Sequence, residues 1–226
     1  LRGDGLGNIQ KGSSFDRPPE MYAEFSADRL LLNPPFSFRE NGMPFIEFGI
    51  RHMKIGGKAA IIIQDSAGSG KGVDSIKKIL KENQLVASIK MPLDLFLPMA
   101  GVQTSIYILE HTGRPHDTKQ KVRFIDFRND GYKRTKRSIQ EADSPIERYQ
   151  DIVQIYKNGK EAVVHEGLWD LDQIVVMDEI TLDGKDWNFE AHHIIDTKPV
   201  DEDFQRVVSD YLIWEISRVL KAEDNE

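Results

Sequence analysis

Four consecutive residues, Asn33-Pro34-Pro35-Phe36, are of types that could do chemistry together. The amide supplies an oxygen acceptor, the two prolines stiffen the chain and carry no N–H, and the phenylalanine supplies a flat apolar face. A heteroaromatic ring with an exocyclic amino group fits this set. The Asn33 side-chain oxygen and the Pro34 carbonyl each accept one N–H, which turns the nitrogen lone pair outward toward an activated methyl group. Phe36 stacks on the ring, a contact worth about 1–3 kcal/mol per base. No ionisable base is required, because positioning and preorganised dipoles supply most of the rate. The blander reading is a proline-stiffened turn with a core phenylalanine. Position favours the chemical one, because the tetrapeptide follows the apolar run Leu30-Leu31-Leu32, entered from Asp28-Arg29 and read as a short buried strand. In open α/β sheets the C-terminal edge of such a strand is where ligands bind.

The neighbouring elements must hold that corner. Pro44 suits a first helical turn, Ile46, Gly49, Ile50 and Met53 share one helix face, and Gly56-Gly57 is expected to end the helix. Lys58 to Gln64 reads as a second strand, and Asp65 to Gly72 as a loop. Asp74 is the expected N-cap of a helix facing inward with Ile76, Ile79 and Leu80. Leu85–Ile89, Gln103–Leu109 and Val122–Phe127 complete the strands. Pro92, Pro98 and Gly101 leave no room for a helical crossover between the first two of these, which predicts an antiparallel pair at the sheet edge. The fold class expected is α/β, a parallel sheet wrapped by helices with an antiparallel edge strand.

Composition shifts after residue 128. Residues 1–128 are expected to form a catalytic core, and residues 129–226 a mostly helical extension for subunit and DNA contacts. Within the extension, Ile146 to Tyr156 reads as a helix with Tyr149, Ile152, Val153 and Tyr156 on one face. Trp169 to Met177 is mixed apolar, and Trp187 and Phe189 anchor a loop-like stretch. Asp201 to Lys221 is a long helix whose broad apolar surface, with Tyr211 and Trp214, suits a bundle or a partner.

The absence of cysteine excludes disulfides and thiolate metal sites. No stretch approaches a membrane span and no signal peptide is visible, so a cytoplasmic protein is expected. A net charge of −7 argues against a general nucleic-acid coat. The window from Lys119 to Arg137 is nonetheless basic, and Arg128, Lys133, Arg134, Lys136 and Arg137 are either phosphate contacts or a solvated charged loop. Gly68-Ser69-Gly70-Lys71-Gly72 lacks the first glycine and the hydroxyl residue of a phosphate loop. His192-His193 has no further ligand at metal spacing, so surface histidines and no metal are expected. No nucleophile-elbow pattern supports a hydrolase.

Several stretches carry a family resemblance. Asn33 to Phe36 resembles motif IV of amino-methyltransferases that use S-adenosylmethionine, a group that includes enzymes acting on adenine N6, RNA and protein glutamine. Gly56-Gly57-Lys58-Ala59-Ala60-Ile61-Ile62-Ile63, Leu97 to Ile106, Phe124 to Tyr132, Asp186-Trp187-Asn188 and Asp210-Tyr211-Leu212 resemble, in order, segments of the methylation subunit of type I restriction-modification systems. The resemblance implies a Rossmann-like methyltransferase sheet, S-adenosyl-L-methionine as cofactor and a flipped adenine. It implies as partners DNA, a specificity subunit and a restriction (nuclease) subunit, and it admits a second modification subunit. Asn33, Pro34, Pro35 and Phe36 are then the catalytic residues. Ser13 and Phe15 fall where that family contacts the cofactor's adenine, although an Asp is commoner at the first position. The family's Gly-rich methionine loop and ribose-binding acidic residue have no counterpart before Leu30. The expectation is therefore the second half of a methyltransferase fold, inactive as an isolated chain. The alternatives are a non-catalytic assembly module of such a complex and a methyltransferase acting on RNA or protein glutamine.

Overall fold

The isoleucines of the second strand alternate sides. Ile61 and Ile63 are fully buried on one face, while Ile62 packs half-buried on the other. Tyr107 and Leu109 alternate with Ile106 and Ile108 in the same way. Burial on both faces is what a sheet covered by helices requires. The computed structural model describes residues 11–18, 20–23, 27–193 and 201–223. Two units emerge, 1–193 and 194–226.

In the first unit a short helix α1 (Glu20–Ala23) precedes strand β1 (Ala27–Leu32), helix α2 (Met43–Ile50), strand β2 (Met53–Gln64), helix α3 (Val73–Ile79) and strands β3 (Asn83–Lys90), β4 (Thr104–His111) and β5 (Val122–Asp126). A hairpin of β6 (Tyr132–Arg134) and β7 (Ile139–Glu141) follows, then helices α4 (Pro145–Asn158) and α5 (Leu171–Ile174) and strand β8 (Val175–Asp178). The main sheet has the order β1-β2-β4-β3-β5-β8. β1 and β2 are parallel, as are β3 and β5, whereas β4 and β8 run against their neighbours. Met43, Ile46 and Ile50 of α2 and Ile76 and Ile79 of α3 close one face together with Trp187 and Phe189, the two expected anchors. Ile155 of α4 packs with Ile125, Phe127 and Val175 on the other.

The α/β class stands, with several corrections of detail. The antiparallel partner β4 lies inside the sheet, between β2 and β3, and the antiparallel edge strand is β8. Gly56-Gly57 does not end a helix. It lies in β2, where the pairing passes from Ala27↔Met53 to Arg29↔Lys58 and Gly56 takes φ 82°, so the glycines form a strand irregularity. Asp74 sits in the first turn of α3 rather than at its cap. The Glu40 carboxylate, from another loop, accepts the Ser75 N–H at 2.9 Å instead.

The boundary expected at 128/129 does not separate compact units, because residues 129–193 pack into the first unit and contribute β8 to its sheet. Across residues 129–226 helices α4, α5 and α6 outweigh the short strands β6, β7 and β8, but those strands are present as well. The inward face of α4 is Arg148, Asp151 and Ile155, while Tyr149 and Val153 are exposed. Buried Arg148 donates to the Asp143 and Leu168 carbonyls and covers the Trp169 ring; Asp151 accepts from His165 and Trp169. A polar face that is fully paired can be buried.

The second unit contains helix α6 (Asp201–Glu223), on which Phe204, Val208, Tyr211 and Trp214 are exposed. Among the described residues no helix is long and apolar enough to cross a membrane.

Candidate active site

β1 stops at Leu32 and the chain leaves the sheet at Asn33, which is exposed. Pro34 is buried and Pro35 exposed; Phe38 N–H donates to the Pro35 carbonyl at 3.1 Å and closes the turn. Among the described residues neither the Asn33 side chain nor the Pro34 carbonyl is engaged in a hydrogen bond. Both acceptors expected at this corner thus lack a hydrogen-bond partner among the described residues, with Asn33 exposed and Pro34 buried at the end of the parallel strands.

The loop that follows holds the corner down. Glu40, Asn41 and Gly42 take positive φ in succession, at 52°, 54° and 99°. Side chains in such positions cost about 1–3 kcal/mol each. Asn41 offsets this by donating to Ser66 Oγ at 2.8 Å, and Glu40 by its bond to the start of α3. At Gly42 a Cβ would stand 2.7 Å from Pro34 Cγ, so only glycine lets the loop close over that proline.

Phe36 meets Phe96 edge-to-face, with ring centroids 5.0 Å apart and planes at 79°. Sequence reasoning passes over Phe96. It stands in the segment between β3 and β4, whose neck is closed by Met91 N–H to the Thr104 carbonyl at 2.9 Å and by Gln103 Nε2 to the Met91 carbonyl. Within it Leu97 N–H donates to the Asp94 carbonyl at 3.0 Å and Ala100 N–H to the Phe96 carbonyl at 3.0 Å. The available signal was an aromatic residue in a short proline-bounded loop at the ligand edge. The same edge carries charge. Lys90, the last residue of β3, is buried between Glu190 and Asp65, the latter at 3.6 Å, and Asp65 accepts from Ser105 Oγ at 2.5 Å. Tyr107 Oη donates to the Asp65 carbonyl at 3.1 Å, and burial holds this phenol well above its ordinary pKa.

The remaining expected residues divide. Ser13 Oγ accepts the Phe15 N–H at 3.2 Å, and among the described residues its exposed hydroxyl donates to no partner. Phe15 is half-buried among Phe38, Phe45 and Phe48, with centroids 4.8–5.7 Å away. Arg128 is tied to Asp126, whose hydrogen bond raises the guanidinium pKa. Arg134 is no surface cation. Its side chain is 7% exposed and pairs with Asp130, itself 1% exposed, and with Asp94 at 3.3 Å. Lys133, Lys136 and Arg137 are exposed on the β6–β7 hairpin, and among the described residues they make no ion pair.

Gly68, in the stretch compared with a phosphate loop, packs against Tyr107 and Trp187, where a Cβ would fall 2.2 Å from Tyr107 Oη. His192 is buried rather than at the surface; it stacks on Phe124 at 3.7 Å, and its Nδ1 lies 2.9 Å from Asp178. Among the described residues no group of three or more His, Cys, Asp or Glu could hold a metal.

Residues 39–203 match the family model described as N-6 DNA Methylase. The type II restriction enzyme and methyltransferase RM.BcgI of Heyndrickxia coagulans is 25% identical over 225 residues, which cover 95% of this chain and 34% of that protein. The chain thus spans about one third of the length of that curated relative. Among solved structures, the type I restriction-modification system methyltransferase subunit from Streptococcus thermophilus aligns with a TM-score of 0.57 at 16% identity, over 81% of this chain and 42% of that one. A modification subunit of a type I restriction enzyme from Vibrio vulnificus aligns with a TM-score of 0.51 at 15% identity, over 75% of this chain and 38% of that one. The resemblance in fold is to methyltransferases, as the sequence leads one to expect.

Proposed function

Because the chain belongs to the N-6 DNA methylase family, we propose that it carries the catalytic corner of an S-adenosylmethionine-dependent enzyme that methylates adenine N6 in DNA. It would serve as the modification subunit of a type I restriction-modification system, in the cytoplasm. The observation that carries this reading is the acceptor pair of Asn33 and Pro34 beside the rings of Phe36 and Phe96.

On this reading the Asn33 oxygen and the Pro34 carbonyl accept the two N–H groups of a flipped adenine. The nitrogen lone pair is left free of both acceptors, to face the methyl group. Phe36 and Phe96 part to admit the base and grip its faces. The prolines and the closed loop under Gly42 keep both acceptors fixed, so little reorganisation accompanies the reaction. Bound S-adenosylmethionine would supply the electrophilic methyl group. Phe15, on its aromatic shelf, fits one face of the cofactor's adenine, and the Ser13 hydroxyl can donate to its edge. Lys133, Lys136 and Arg137 would contact DNA phosphates. Arg128, held by Asp126, would reach phosphate only by leaving that pair.

The exposed aromatic residues of α6 support its use as a docking helix for a specificity subunit, a restriction subunit or a second modification subunit. They also support the second reading, a module that assembles the complex without catalysing.

The deciding experiment incubates the full-length protein and its partner subunits with DNA and labelled S-adenosylmethionine, then digests the DNA to nucleosides. We expect label in N6-methyladenine. Label confined to cytosine would overturn the reading, and an assembled complex that labels nothing would leave the assembly module.

A further inference from the structure

The residue that departs most from its sequence reading is Arg134, and its contacts run toward the base site. Its guanidinium is held by buried Asp130, which also accepts the Tyr132 N–H at 3.0 Å and the Tyr149 hydroxyl at 2.9 Å. That set lies within the hairpin and the helix beside it. A second set reaches the loop between β3 and β4. The Asp94 carboxylate accepts the Arg134 backbone N–H at 2.9 Å and its guanidinium at 3.3 Å, across forty positions of sequence. Asp94 lies two residues before Phe96, and its carbonyl accepts the Leu97 N–H at 3.0 Å. The turn that presents Phe96 to Phe36 therefore rests on Arg134. The strand carrying Arg134 leads directly into exposed Lys136 and Arg137, in a tight turn where Thr135 N–H donates to the Ser138 carbonyl at 2.9 Å.

We propose that Arg134 is a positioning residue for methyl transfer: through Asp94 it joins the cations of the β6–β7 hairpin to the loop of Phe96, so that seating a DNA backbone on the hairpin sets where the Phe96 ring stands across from Phe36 when the base enters between them. The inference rests on the reading of Asn33, Phe36 and Phe96 as the adenine site. It adds that DNA grip and base capture are mechanically one unit. Lysine cannot replace arginine here, because a single ammonium does not span two carboxylates as a planar fork does.

The test uses Asp94→Ala and Arg134→Lys in the full-length protein with its partner subunits. Asp94→Ala removes the bridge and leaves the Arg134–Asp130 pair in place. The substrate is the duplex that the wild-type complex methylates, with 2-aminopurine at the target adenine for the fluorescence arm. We expect Asp94→Ala to slow single-turnover methylation at saturating DNA by about tenfold or more, the effect of slight misplacement. The aminopurine signal should change, while DNA affinity and its salt dependence stay within about twofold. Arg134→Lys should move the same readouts in the same direction. An Asp94→Ala complex with wild-type rate and fluorescence would overturn the proposal. So would an Asp94→Ala loss of rate that merely follows losses of melting temperature and DNA affinity. Arg134→Lys that lowers the salt slope by about one, with the saturated rate intact, would make Arg134 a phosphate contact instead. A wild-type complex that fails to methylate adenine sinks the earlier reading before either variant is made.

Discussion

The corner at Asn33–Phe36 and the hairpin at Tyr132–Glu141 solve opposite problems. The corner is uncharged and stiff, and it offers two acceptors and an aromatic face. The hairpin is strongly charged, yet its charges are divided between tasks. Lys133, Lys136 and Arg137 face solvent, while Arg134 is buried in carboxylates. In the corner, residue type nearly dictates use, because proline fixes the local backbone wherever it occurs. In the hairpin, residue type dictates little, because an arginine binds whichever acceptor the fold brings to it. The difference teaches that a charge count measures capacity, and only the partners show what that capacity serves.

Three experiments would break or sharpen this contrast. The largest effect belongs to the corner. Asn33→Ala in the full-length enzyme should lower single-turnover methylation by about 10²–10³ while DNA binding stays near normal. A near-normal rate would remove Asn33 from the site. The hairpin should show a smaller and different signature. Replacing Lys133, Lys136 and Arg137 together by alanine should weaken DNA binding about tenfold or more at moderate salt. It should also reduce the slope of log affinity against log salt by about 0.9 for each phosphate that is no longer neutralised. Its rate at saturating DNA should fall as well, by about as much as in Asp94→Ala, because DNA is no longer seated on the hairpin that positions Phe96; an unchanged salt slope would return these residues to the status of a solvated loop.

The smallest effect lies away from both regions. The His192 imidazole beside Asp178 holds that carboxyl below its ordinary value, with Lys121 adding in the same direction. A depressed carboxyl contributes stability that is present above the unfolded range near 3.8 and is lost as pH falls through the folded value. Asp178→Asn should therefore lower the melting temperature at neutral pH, by no more than about a few degrees because the carboxylate is half-exposed. The gap to wild type should close on acidification below about pH 4. A gap that persists there would assign the loss to packing against His192 instead of charge.

Where the sequence is legible, the information is local. The apolar run Leu30–Leu32 marks a strand, although it lies at the sheet edge with Leu31 81% exposed and is not the buried strand expected; the alternation around Ile61–Ile63 marks another, and Pro34-Pro35 marks the exit from the sheet. The insertion of β4 between β2 and β3 is not legible, because strand order is a long-range property that loop length bounds without fixing. Phe96 escapes because its partner Phe36 lies far away in sequence and its own loop has no periodicity. The face of α4 is half legible: Ile152 and Tyr156 pack on the core as their spacing suggests, but Arg148 and Asp151 look like surface residues until Asp143, His165 and Trp169 close around them. Gly56-Gly57 reads as a helix stop because glycine ends helices and interrupts strands with the same residue type, and only the β1–β2 pairing tells which.

Gly42 has a consequence for how this chain can change over generations. Its absent side chain leaves the room that the Pro34 ring fills, and at φ 99° any larger residue is strained as well. The two positions are thus a lock with a single combination. A side chain at position 42 has no room while the Pro34 ring is in place, so a lineage that loses the glycine should lose the first proline with it. Among diverged descendants of this sequence, the Asn-Pro-Pro-Phe tetrapeptide should therefore travel with a glycine eight positions beyond its first proline (42 − 34 = 8). Descendants in which that glycine is replaced while the proline persists are expected to be those in which methyl transfer has been given up.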